Sequence, residues 1–164
     1  MADDVQPLFD EDLQPVLEAI LALLRADPFF ADVTTMVDDE QDLVAELKKA
    51  LATLADEGGR NGTACVIEVP DLGVEYPNLR GPQFDDVVID LNFLENVLLN
   101  RGDAGTRKTA RRLALAAARA LHHKPIPGLN KVLLVQRVFK KDNPDTKDLI
   151  YACRVKSGGL VLNK

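Results

Sequence analysis

The chain has 164 residues, of which 46% are hydrophobic and 28% charged, with a net charge of −6 and no tryptophan. That composition is too apolar for a disordered chain and long enough to bury one real core, and no apolar run reaches the ~20 residues a membrane helix needs. The charge is polarised along the chain: residues 1–60 carry 15 acids and 4 bases, residues 61–100 carry 7 acids and 1 base, and residues 101–164 carry 4 acids and 15 bases.

The opening "MADDVQPLFDEDL" is acidic and lacks the basic-then-apolar order of a signal peptide, so a cytosolic chain is expected. In residues 11–25, Leu13, Leu17, Ile20, Leu21 and Leu24 fall on one helical face. Pro15 fits only a first turn, which predicts a helix start near Asp12, and Asp27-Pro28 predicts its end. The stretch "FFADVTTMV" reads as a short edge strand or an extended connection. A second helix is expected at about 39–56, opened by the Asp38/Gln41 capping-box pattern, striped by Val44, Leu47, Leu51 and Leu54, and closed by Gly58-Gly59.

From Thr63 the period changes to two. Cys65, Ile67 and Val69 share a face of a strand that Pro70 is expected to end. Residues 71–84, with two prolines and two glycines, read as a long loop or an irregular hairpin. In "DVVIDLNFLENVL" the residues Val87, Ile89, Leu91 and Phe93 face one way. Asp90 and Asn92 face the other, as on a sheet with one solvated side.

The stretch "RGDAGTRKT", residues 101–109, lies where a phosphate-cradling loop would sit. Counted from Gly102, a G-x-x-x-x-G-K-[ST] loop needs glycine at 107, and the chain has Arg107 there, although Lys108 and Thr109 match. A side chain at that position fills the volume the phosphates need. The simpler reading is a strand-to-helix connector with Gly105 in a turn and Thr106 as N-cap.

Residues 106–122 then form the strongest helix. Ala110, Leu113, Ala114, Ala117 and Leu121 line its apolar side, while Lys108, Arg112, Arg119 and His122 line the other, flanked by Arg111. After a Pro-Ile-Pro-Gly turn, "KVLLVQRVF" and "LIYACRVK" flank a charged turn and read as a hairpin, and "LVLN" as an added edge. The order α-α-β-β-α-β-β predicts an α+β fold: a mostly antiparallel sheet of about four strands with a long helix packed on it. Residues 1–164 are read as one domain, an acidic helical segment over 1–60 joined to an α+β core over 61–164.

Chemistry is scarce. Ser157 is the one serine and sits in no nucleophile elbow. Cys65 and Cys153 form no C-x-x-C pair and alternate in phase with apolar neighbours, as buried thiols of a reducing compartment do. With His122 and His123 they make a zinc set only if the fold gathers all four; solvated or helix-capping roles suit the histidines better. Glu68, Asp90 and Glu95 are strand carboxylates, read as outward-facing polar residues rather than a catalytic pair. The expectation is a protein that is not an enzyme and carries no cofactor or metal.

The basic third invites two readings. Cations in the first turn of a helix oppose its dipole by about 0.3–1 kcal/mol each, so carboxylates or phosphates should answer Arg107 and Lys108. One source is the acidic surface of a neighbouring copy in a head-to-tail contact, with Arg101, Arg107, Lys108, Arg111, Arg112 and Arg119 as the interface. The other is a nucleic acid, which makes the chain a binding or regulatory module working through helix 106–122.

The run "VVIDLNFLENVLLNRGDAGTRKTARRLALAAARALHH" resembles the tail terminator (tail completion) proteins of tailed bacteriophages and prophages. The resemblance lies in Glu95-Asn96, Asn100-Arg101, Gly105-Thr106, Ala110, Leu113-Ala114 and Leu121-His122, in the C-terminal hairpin, and in the preceding "VEYPNLRGPQFDD". It spans about residues 64–156. What it implies is a virion structural protein, assembled in the bacterial host cytoplasm, with no catalytic site. Such a protein forms a ring of about six copies that caps the finished tail tube, touches tube and neck or connector proteins, and lets DNA pass through its lumen.

Overall fold

The computed structural model describes residues 8–37, 62–71, 74–75, 83–84, 87–101, 107–142 and 149–158. Helix α1 (Leu8–Ala26) buries Leu17, Ile20 and Leu24 of the predicted face together with Val16 and Ala19, and leaves Leu21 part-buried. Its start corrects the expectation, because Pro15 lies inside the helix and not in its first turn. Proline removes a single ladder N–H, and the buried stripe that follows it fixes the next turns against the core. At the far end Asp27 Oδ1 accepts from the Phe29 amide at 2.9 Å and opens a 3₁₀ turn, Pro28–Phe30.

Strands follow as β1 (Thr34–Val37), β2 (Thr63–Asp71), β3 (Val74–Glu75), β4 (Gln83–Phe84) and β5 (Val88–Glu95). Then come a single helical turn, α2 (Val97–Asn100), the helix α3 (Ala110–Leu121), and the strands β6 (Val132–Lys141) and β7 (Leu149–Gly158). The fold is α+β. The main sheet has the order β1-β2-β5-β7-β6, with β2, β5, β7 and β6 antiparallel and β1 added parallel to β2. β3 and β4 pair as a small separate hairpin within the stretch read as a loop or irregular hairpin. The second helix expected at 39–56, Gly105, Thr106 and the tail "LVLN" all lie outside the described residues.

Since β5 and β6 each run antiparallel to β7, they are parallel to one another, and α3 crosses over β7 between them. One sheet face supplies Cys65, Ile67, Ile89, Leu91, Phe93, Leu133, Cys153 and Val155 to the core. α3 closes it with Ala110, Leu113, Ala114, Ala117 and Leu121, and its small alanines let the helix lie close to the sheet. α1 packs beside α3.

Three local readings change. β2 runs through Pro70 to Asp71, and the proline falls in a register break between Glu68 and Asp71, where no ladder bond is needed. β5 stops at Glu95, and the apolar residues after it wind into α2. The opposite side of β5 is not solvated either: Asp90, Asn92 and Leu94 are all buried.

Candidate functional site

The loop between β5 and α3 is tied down by its own side chains. The buried Glu95 carboxylate accepts from the Ala110 amide at 2.8 Å and from Asn100 Nδ2 at 2.9 Å, while Asn100 Nδ2 also donates to the Lys108 carbonyl at 2.9 Å. An acid at the positive end of α3 is stabilised by the helix dipole and satisfies a backbone donor the helix leaves over. The N-cap is Thr109, whose hydroxyl accepts from the Arg112 amide at 3.2 Å, and α3 therefore starts three residues later than predicted.

Both residues that matched a phosphate loop are engaged within the chain. Lys108 Nζ donates to the Phe29 carbonyl at 2.7 Å, meets Asp32 at 3.3 Å and lies over the Phe29 ring. Thr109 spends its hydroxyl on the cap. Arg107 adopts φ 57°, the left-handed conformation that glycine takes most readily, and its amide donates to the Asn100 carbonyl at 3.2 Å.

The six cations proposed from sequence thus divide. Lys108 is part-buried and holds the 3₁₀ turn to the start of α3. Arg101 and Arg107 are exposed on the connection between α2 and α3. Arg111, Arg112 and Arg119 are exposed on the outer side of α3 and form no ion pair among the described residues. The Arg112 guanidinium lies over the Phe29 ring, 5.6 Å from its centre. Between these arginines stands Leu115, 44% exposed and the one large hydrophobic residue so exposed among those described. A shallow depression gathers Arg112, Leu115 and Arg119 against Asp27 and Phe29, and a second joins Leu115 and Arg119 to His122 and Val135. Such a surface suits a partner with carboxylates around an apolar contact.

The strand carboxylates have internal partners. Asp90 is held by Arg154 through two bonds, 2.7 and 2.8 Å, and by Lys141 at 3.2 Å. Lys141 also pairs with Glu68. Arg137 and Arg154 stack on the Phe139 ring at 4.2 and 5.3 Å. Burial alone would raise the Asp90 carboxyl; the hydrogen bonds and charges of Arg154 and Lys141 outweigh it and hold the group below the usual carboxylate range. The cysteines are free and buried, while both histidines are exposed. His122 caps α3 and its Nδ1 accepts from the Val135 amide at 3.0 Å. Among the described residues no three His, Cys, Asp or Glu side chains are placed to hold a metal. None of the described helices is long and apolar enough to cross a membrane.

Sequence reasoning missed Glu95 and Asn100 as the clasp of the loop, Phe29 as the seat of Lys108 and Arg112, and Leu115 as an exposed contact. Leu115 did leave a signal in the periodicity: it is the large apolar residue out of phase with the buried stripe, set among the arginines of α3. No protein-family model matches the chain, and no curated protein matches it.

Proposed function

We propose that the chain is a structural subunit that assembles head-to-tail with copies of itself into a ring, in the manner of the phage tail terminator proteins it resembles. The observation that carries this reading is the outer side of α3. There Arg111, Arg112 and Arg119 stand without ion pairs among the described residues, around the exposed Leu115, in a chain whose first 60 residues hold 15 acids against 4 bases. Unlike surfaces that meet head-to-tail close into rings when the rotation permits. The role is non-catalytic: the ring would cap a tail tube, meet neck or connector proteins and pass DNA through an acidic lumen by like-charge repulsion.

Light scattering over a concentration series, followed by negative-stain imaging, tests it. A closed ring is the expected species, and the double variant Arg112→Glu, Arg119→Glu should fall to a monomer while its circular dichroism is unchanged. A chain that stays monomeric up to high concentration would count against the reading. The same arginines also fit a phosphate backbone, which sustains the nucleic-acid-binding alternative. That alternative requires duplex binding whose affinity drops steeply with salt and is lost in the double variant.

A further inference from the structure

We propose that the open half of strand β6 takes up strand β1 of a second copy, continuing the sheet from one subunit to the next. The idea deepens the ring reading and rests on it. β6 is an outer strand of the main sheet, and its two halves are treated differently. In the first half Leu133 donates to the Lys124 carbonyl and accepts from the His123 amide, both at 2.8 Å. The Val135 amide goes to His122 Nδ1. The segment after α3 therefore covers that part of the edge.

The second half has no such cover among the described residues. Leu133 faces Ser157, and the Ser157 amide points the other way, to the Val87 carbonyl at 2.9 Å. In an antiparallel ladder such outward-pointing pairs recur every second residue. Along β7 they fall at Val155, Cys153 and Tyr151, whose β6 partners are Val135, Val138 and Lys140, the register having shifted by one at Gln136. The N–H and C=O groups of Val138 and Lys140 thus point off the sheet. Strand addition uses such groups for affinity and flanking side chains for specificity.

Charge selects the occupant. The open half carries Arg137, Lys140 and Lys141. A second β6 laid against it would set like charges across the pair, which is destabilising. β1, the opposite edge of the same sheet, is four residues long and reads Thr34-Thr35-Met36-Val37, so it sets no like charge against the open half. β1 runs parallel to β2 and β6 runs opposite to both. A rotation about an axis along the strands keeps these directions, so the new pair is antiparallel. Joining opposite edges of one sheet is also a head-to-tail contact, as a ring requires.

Hydrogen exchange on the wild-type chain reads the contact directly. The amides of Val138 and Lys140 should exchange fast in the dissociated chain at high dilution and at least tenfold more slowly in the assembled species. Val138→Pro removes one of the outward N–H groups and none of those bonded to β7, so it should keep the far-ultraviolet spectrum and lose assembly. If that variant does not fold, Lys140→Glu takes its place and should weaken assembly at least tenfold. Should the wild type assemble while both amides exchange unprotected, strand addition is overturned and the ring reading survives. A wild type that is monomeric throughout the concentration series removes both.

Discussion

Asp90 is a carboxylate at the centre of a sheet, 0% exposed, and its charge persists there only because Arg154 and Lys141 hold it. Arg154 and Lys141 each keep about a quarter of their side chains in solvent, and Lys141 keeps Glu68, so removing the carboxylate strands partly solvated cations. Asp90→Asn is therefore expected to destabilise the protein by about 1–3 kcal/mol at pH 7. The sign with pH follows from the lowered folded value. The contribution is fully present above the unfolded value of about 4 and is lost as pH falls through the folded one. Urea unfolding of both proteins between pH 7 and pH 2.5 should show the difference shrink on acidification, and a constant difference would refute the account. The cysteines have the opposite character. Burial pushes the Cys65 thiol far above its usual range, with Cys153 adding to the effect, and burial beside Asp90 pushes Cys153 up to about 12. Thiolate is the reactive form. Neither thiol should be alkylated at pH 8 until denaturant is added; rapid labelling of the native chain would contradict their burial.

Among the elements, α3 shows how far local pattern reaches. Its apolar stripe and the strand faces of Cys65, Ile67, Ile89, Leu91 and Phe93 were legible because burial follows a period of 3.6 or 2. What positions α3 was not legible, since the bonds join residues distant in sequence: Glu95 to Ala110, and Lys108 to the Phe29 carbonyl. The parallel pairing of β1 to β2 was hidden for the same reason, because four β-branched or apolar residues do not name their neighbour. The cations of Arg107 and Lys108 suggested an acid from outside, yet Lys108 meets Asp32 of the same chain, and Glu95 sets a carboxylate at the start of α3. Thr109 and Glu95 both serve the start of α3, and their removal should differ in size. Thr109→Ala is expected to cost about 1 kcal/mol, the usual value of an exposed N-cap. Glu95→Ala strips the buried Ala110 N–H of its acceptor, removes one of the two acceptors of Asn100 Nδ2 and takes the charge from the dipole, for about 2–4 kcal/mol. Equal losses in thermal denaturation would mean the buried clasp does not position the helix.

At the scale of the molecule the decisive quantity is the separation of charge, 15 acids against 4 bases over residues 1–60 and 15 bases against 4 acids over residues 101–164. If that polarity drives association, the contact has two parts with different responses to salt. The arginines of α3 are exposed, and a solvent-exposed pair contributes about 0.2–1 kcal/mol that salt screens. Three such pairs come to about 0.6–3 kcal/mol, or roughly 3- to 150-fold in the association constant. Leu115, 44% exposed, would bury the rest of its apolar side chain there, for about 1 kcal/mol that does not weaken with sodium chloride. Raising the salt from 50 to 500 mM should therefore weaken the assembly by at most about two decades without abolishing it. Leu115→Ser should weaken it at every salt concentration and leave the salt dependence itself unchanged. Arg112→Glu should flatten that dependence, because a screened attraction has been replaced by a screened repulsion. Sedimentation velocity over a salt series on the three proteins separates these cases. Parallel salt curves for the wild type and Arg112→Glu would show that the basic side of α3 takes no part in self-association, whatever else the chain's polarity serves.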